Sequence, residues 1–233
     1  MYDTPSSIID LSNPIHEDIP VFPEFPMVRC EKTNWAARDV FTMEHIEMRS
    51  HTGTHIDAPL HFIPEAKSLD EFPLTTFMGE GIVLDITPKE PGEPITVDDI
   101  EPHENEINAD DVVMLHTGWD QYYGLTTEYL FEYPYLTKGA STYLGELGLK
   151  AVGVDTMSVA GWVGEAPNQD PVAETHPADS HIPLLENEVI PIEEIRNLDQ
   201  VLDGETTKRA YFLYPPLNFE GVGGAPVRAF AFV

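Results

Sequence analysis

Twenty-one prolines scattered through 233 residues constrain this chain more than any other feature. Each fixes φ near −65° and removes a backbone donor, so long helices cannot run through them and central strands rarely hold them. What fits between them is a succession of short strands, short helices and ordered turns. Residues 7–11, 41–48, 81–86, 111–116, 149–155, 209–216 and 227–233 are compact apolar or alternating runs and read as strands. Residues 138–147 carry Tyr143, Leu144 and Leu147 at helical spacing ahead of Gly148, and 190–198 reads as a second short helix. No repeat, low-complexity run or Gly/Ser linker divides the chain. The expected fold is α/β, rich in strand, with residues 1–233 forming one domain.

Charge narrows the function classes. Forty-one acidic against 12 basic side chains give a formal charge of −29, which repels phosphate backbones and argues against nucleic-acid binding. Apolar content of 42% is too high for a disordered acidic chain. The apolar runs fall short of the roughly 18 residues that a membrane span needs. Residues 1–5 show no secretory signal pattern, so a cytoplasmic location is expected. A single cysteine, Cys30, cannot form an internal disulfide and reads as a buried small hydrophobe. The spread of acid, with only six lysines, suits a protein that stays dispersed in high salt, where screening relieves self-repulsion.

The chemistry concentrates between residues 51 and 61, His-Thr-Gly-Thr-His-Ile-Asp-Ala-Pro-Leu-His. His51, His55, Asp57 and His61 all fall on odd positions, so an extended chain turns them to one face. A helix is disfavoured by Gly53, Thr52, Thr54 and Pro59. Four straight strand residues span about 13 Å, too far for His51 and His55 to share an ion at about 2.1 Å each. The chain must bend between them, and Gly53 is the residue that permits it. Asp57 adds an oxygen ligand, and His61 lies close enough to carry protons. The plain alternative is a cluster of surface histidines on a loop.

This segment, His51-x-Gly53-Thr54-His55-x-Asp57-x-Pro59-x-His61, resembles the signature of the cyclase-type metal-dependent hydrolases, a family that includes bacterial kynurenine formamidases and isatin hydrolases. Asp10-Leu11-Ser12 with Pro20-Val21-Phe22-Pro23, Asp155-Thr156-Met157-Ser158, and Ala225-Pro226-Val227-Arg228-Ala229 are similar to further segments of it. The resemblance implies a β-rich domain of the swivelling β/β/α kind, dimeric or tetrameric. It also implies further metal ligands in His181, within Ser180-His181-Ile182-Pro183-Leu184-Leu185, and Glu193; His176 and Glu194 are the neighbours that compete for those roles. One or two Zn²⁺ ions are implied, with Mn²⁺ as the alternative. His61 would be the acid/base, and Phe22 and Trp162 would wall an aryl substrate. N-formylkynurenine is the first substrate, a cyclic amide such as isatin the second. The same chemistry would serve a lactone or ester hydrolase, and a non-catalytic reading is a structural metal site that staples a loop.

Two departures bear on the substrate. Phe22 stands where formamidases commonly have Trp, with Glu24-Phe25 in place of Gly-Asp, and residues 161–174 lengthen the loop before His181. Among the other candidates, His45 reads as a strand-face residue and His116 as a pocket-lining or core histidine. His16 and His103 read as solvated. Trp162 could cover substrate or anchor its loop, and the acidic run 98–111 reads as solvated surface.

Overall fold

The computed structural model describes residues 7–164, 166 and 176–233. Thirteen strands appear among them. In chain order they begin with β1 (Ile8–Asp10), β2 (Arg29–Asn34), β3 (Met43–Glu47), β4 (His55–Asp57), β5 (Met78–Asp85) and β6 (Pro94–Ile95). They continue with β7 (Val112–His116), β8 (Tyr135–Leu136), β9 (Ala151–Val154), β10 (Ile190–Glu193), β11 (Thr207–Leu213), β12 (Gly224–Pro226) and β13 (Phe230–Phe232). Six short α-helices accompany them: α1 (Ala36–Asp39), α2 (Val97–Ile100), α3 (Thr127–Phe131), α4 (Lys138–Glu146), α5 (Pro177–Glu186) and α6 (Leu198–Leu202). Most elements are short, as the prolines predict, but two hold a proline inside: α5 runs on through Pro183 and the central strand β10 contains Pro191.

Nine strands form one mixed sheet in the order β1-β13-β11-β5-β7-β9-β10-β4-β12. Its centre, β5-β7-β9-β10, is parallel, and the flanks are antiparallel. Parallel strands are buried on both faces, and their two-residue period feeds two cores. Val83, Val112, Met114 and Ala151 point to one core, which α6 closes with Leu198, Val201 and Leu202. Ile82, Leu84, Val113, Leu115, Val152 and Val154 point to the other, under Ala140 and Leu144 of α4 and Leu184 of α5. The strand-rich α/β class read from the sequence is the one observed.

Three expectations need correction. Residues 190–193 are strand, and the helix starts only at Leu198. The β-branched Ile190 and Ile192 are fully buried between β9 and β4, where sheet pairing overrides the local pattern. Cys30 is exposed rather than buried, because β2 lies outside the main sheet. The run 98–111 is only partly solvated: Asp99 closes a capping box on Thr96, and Asp111 is buried against Arg209. The amino-terminal segment 1–5 and most of the long loop, Glu165 and residues 167–175, lie outside the described residues.

Candidate active site

The bend expected at Gly53 is present, with φ of +64°, a conformation glycine adopts without strain. It swings His51 back over strand β4, where His55 and Asp57 point to the same face. β4 is three residues long and wedged between two antiparallel partners. Glu193 of β10 pairs directly with His55, and Gly224 of β12 pairs with Asp57. Antiparallel partners stand about 5 Å apart, so the ladder itself sets the Glu193 carboxylate beside the His55 imidazole. Across the site, α5 brings in His181. His176, the competing histidine, is instead the exposed N-cap of that helix, its Nδ1 accepting from Ala178 N–H at 3.2 Å.

The side chains converge tightly. His55 Nε2 lies 3.3 Å from Glu193 Oε2 and 3.6 Å from Asp57 Oδ1. His181 Nε2 lies 3.3 Å from Glu193 Oε1 and 3.5 Å from Asp57 Oδ2. His51 Nδ1 is 2.7 Å from Asp57 Oδ1. The other ring nitrogens are fixed by the backbone. His55 Nδ1–H donates to Gly53 O at 2.8 Å, and His181 Nδ1–H donates to Pro177 O at 2.9 Å, so both Nε2 atoms face the carboxylates. Glu193 is held in turn by Ser158 Oγ–H and Val159 N–H, at 2.9 and 2.8 Å from Oε1. His61 stacks on His51 with ring centroids 3.9 Å apart and stands exposed at the mouth.

Burial and charge pull in opposite directions here. Burial disfavours the charged form of His55, but Glu193 and Asp57 outweigh it and raise its pKa to about 9. His181 rises to about 10 against the same burial, through Asp57 and Glu193. Glu193, although burial and Asp57 push upward, is drawn to about 2 by His181 and His55. His61 moves the other way. Its ring reaches solvent at one side, yet the packed protein around it desolvates the cation. Together with the His51 and His181 imidazoles, and against the pull of Asp57, this lowers its pKa to about 4. Glu194, buried beside the site, is raised to about 8 by burial and by Glu193.

The donor set fits a divalent cation. The Oδ2 atom of Asp57 is fully buried and makes no well-formed hydrogen bond, its facing donor being His181 Nε2 at 3.5 Å, so it has capacity left for a cation. Ligand atoms of His51, Asp57 and His61 form one close group, and those of His55, Asp57 and Glu193 another, so Asp57 belongs to both. Imidazole nitrogens mixed with carboxylate oxygens suit Zn²⁺ or Mn²⁺.

His51, His55, His61, His181 and Glu193 line a cavity of about 300 Å³, walled by Phe22, Phe25, Phe62, Met157 and Trp162, with Asp57 buried behind them. Phe22 and Trp162 meet edge to face at 5.2 Å, and Phe131 backs Trp162 at 5.4 Å. Both aromatic residues singled out in the sequence therefore stand in the wall. His116 does not line it. It pairs through Nδ1 with Asp85 at 3.2 Å and groups with Asp120 and Asp155, whose own carboxylate is occupied by donors from Thr117 and Gly118. His45 lies on the exposed strand β3, His16 accepts from Asp18 N–H, and His103 sits 3.4 Å from Glu106.

Three contributors have no role assigned from the sequence, although Ser158 ends the Asp155-Thr156-Met157-Ser158 segment. Phe62 stacks on His181 at 4.3 Å, Ser158 holds Glu193, and Gly224 makes room for His51. A β-carbon on Gly224 would lie 2.3 Å from the His51 ring. The Gly223-Gly224 pair is the only local signal for the last of these.

Comparison with known proteins agrees with this geometry. The chain is 29% identical to the kynurenine formamidase of Geobacillus thermodenitrificans (strain NG80-2) over 224 residues, 95% of each chain. It is 28% identical to the kynurenine formamidase of Bacillus thuringiensis (strain Al Hakam) over 227 residues, 96% of each. Isatin hydrolase A from Labrenzia aggregata, solved with benzyl benzoate, superposes with a TM-score of 0.78 at 27% identity, covering 97% of this chain and 93% of that one. A structure described as a potential metal-dependent hydrolase with cyclase activity gives 0.75 at 26% identity, covering 97% and 96%. Fold and site together define a metal-dependent hydrolase. Residues 9–160 match the Cyclase family, described as "Putative cyclase", and the chain belongs to that family.

Proposed function

We propose that this protein hydrolyses a small aryl amide, with N-formylkynurenine the first substrate to consider. The observation that carries the reading is the convergence of His51, His55, His181 and Glu193 in an aromatic-walled cavity, around the buried Asp57 and beside His61. In this reading those five residues would hold one or two divalent ions, Zn²⁺ or Mn²⁺. Such an ion, when bound, would supply Lewis acidity to polarise the amide carbonyl and acidify water. The remaining work belongs to the chain. Ser158 and Val159 N–H fix the Glu193 carboxylate, and the backbone carbonyls of Gly53 and Pro177 orient two imidazoles. His61 takes a proton from the attacking water and returns it to the departing nitrogen, which is otherwise too basic to leave. An arylamine leaves more readily than an alkylamine. Phe22 and Trp162 would bind the ring and exclude water around it.

Both relatives named above are kynurenine formamidases, which supports the formamide. Isatin hydrolase A superposes over nearly the whole chain, which supports a cyclic aryl amide as the second reading. The deciding experiment is turnover of N-formylkynurenine by protein loaded with Zn²⁺ or Mn²⁺, with isatin and an aryl lactone in parallel. Formamide turnover abolished by a chelator is the expected result. Turnover of isatin or lactone alone would move the substrate class while leaving the site intact. Inactivity on all three by folded, metal-loaded protein would remove the proposal.

A further inference from the structure

Consecutive residues of a strand point to opposite faces, so continuing β10 by one residue would turn Glu194 away from the cavity. Glu194 instead lines the cavity beside Glu193. The backbone allows this by leaving the strand at Glu194, where φ is +56°. That left-handed conformation is uncommon for a glutamate, and a residue held in it calls for a reason. Three hydrogen bonds hold it there. Glu194 O accepts from Thr54 Oγ1–H at 2.7 Å and from Asn13 Nδ2–H at 2.8 Å, and Glu194 N–H donates to Thr156 O at 3.0 Å.

The side chain so placed has no partner of its own. Glu194 is 2% exposed, and its Oε2 atom is buried with no well-formed hydrogen bond. The Tyr129 hydroxyl faces it and is likewise buried without a hydrogen bond. Among the described residues no lysine or arginine pairs with Glu194, and it belongs to neither group of close ligand atoms around Asp57. A buried carboxyl oxygen without a partner is costly, and here the chain also spends backbone strain to keep it in place.

The missing partner can arrive with the substrate. An oxygen with a free lone pair accepts a hydrogen bond whether its carboxyl is ionised or not, so that partner is a donor. The cavity narrows its class. Phe22, Phe25 and Trp162 present aromatic rings, Glu24, Glu193 and Glu194 supply acid, and no lysine or arginine lines it among the described residues. Aromatic faces and carboxyl groups together attract an ammonium group, whereas a hydroxyl would gain the hydrogen bond without the charge.

We propose that Glu194 is a specificity-determining residue, accepting a hydrogen bond from an amine or ammonium group that the substrate carries beside its aryl amide. This role rests on the aryl-amide reading and adds a second recognised group to it.

The test separates binding from turnover. Benzylamine and benzyl alcohol have nearly the same shape and differ in the group offered to Glu194. Binding of each to metal-loaded wild type, Glu194→Gln and Glu194→Asn is measured by calorimetry in about 0.5 M NaCl, which screens the acidic surface. Wild type is expected to prefer the amine by about tenfold or more, and both variants to hold that preference to about threefold or less. Asparagine enters the left-handed region readily, so Glu194→Asn covers the case in which Glu194→Gln does not fold. Equal affinity of wild type for the two compounds would overturn the proposal. So would a preference that survives in both variants, which would assign the amine to Glu24 or to the bound ion. The ratio of kcat/KM for 2-aminomethylformanilide over formanilide should fall about tenfold in the variants, and an unchanged ratio would also overturn it. If neither formamide is hydrolysed while the amine preference behaves as expected, the hydrolase reading fails and the subsite stands.

Discussion

His61 is the residue whose role is easiest to isolate, because it stacks on His51 at the edge of the proposed metal site. Replacing it by alanine should leave metal content and melting temperature within a few degrees of wild type and lower kcat by roughly 10²–10⁴-fold, the usual worth of an acid/base group. Metal analysis alongside steady-state kinetics checks this. Gly224 makes the opposite case, a residue with no functional group at all. Gly224→Ala places a methyl group into the His51 ring, and should lower metal affinity and destabilise the fold by about 1–3 kcal/mol. Competition with a chromogenic chelator and denaturant unfolding would show both effects; wild-type affinity in the variant would mean that the ring can move aside. At this scale the local motif is legible in the sequence. Four groups within eleven residues share one face by strand geometry, and the glycine bend has to exist for them to meet. Ser158, Phe62 and Gly224 are not legible, since their contacts with Glu193, His181 and His51 depend on long-range pairing that no local pattern encodes.

Among the elements, β7 and β11 flank β5 and are tied across it by Arg209, whose guanidinium grips both carboxylate oxygens of Asp111 at 2.7 Å. Although burial opposes ionisation, Arg209 holds the Asp111 carboxyl below its usual range. A group with a depressed folded-state pKa stabilises the protein above its unfolded value, near 3.8, and loses that contribution as pH falls through the folded value. Asp111→Asn should therefore cost about 1–2 kcal/mol at pH 7, discounted because Arg209 is partly exposed, and the difference should vanish in strong acid. Urea unfolding at several pH values would reveal it, and a pH-independent difference would assign the effect to packing. The acidic run 98–111 conceals this tie. Nothing local distinguishes an aspartate that will meet an arginine 98 residues later from one that stays in water. The helix expected over 190–198 fails for a related reason. Ile190 and Ile192 obey the sheet that receives them rather than their neighbours in sequence.

For the whole molecule, the −29 charge governs behaviour at long range. Raising NaCl from about 0.05 to 2 M shortens the Debye length from above 10 Å to below 3 Å, so the melting temperature should climb by several degrees or more. Calorimetry across that range checks it, and a flat response would show that the charges are spaced widely enough not to matter. The order of strands has a consequence in time as well as in space. β4 closes only when β10 and β12 lie on either side, and β12 pairs Pro226 with His55. During synthesis the histidine segment leaves the ribosome early, but its binding nest cannot exist until residues near 226 have emerged, and at about 5–20 residues per second that is a wait of roughly ten seconds or more. The nascent chain thus carries the proposed ligands unassembled through the synthesis of the intervening residues, and the site can form only after β12 has joined β4.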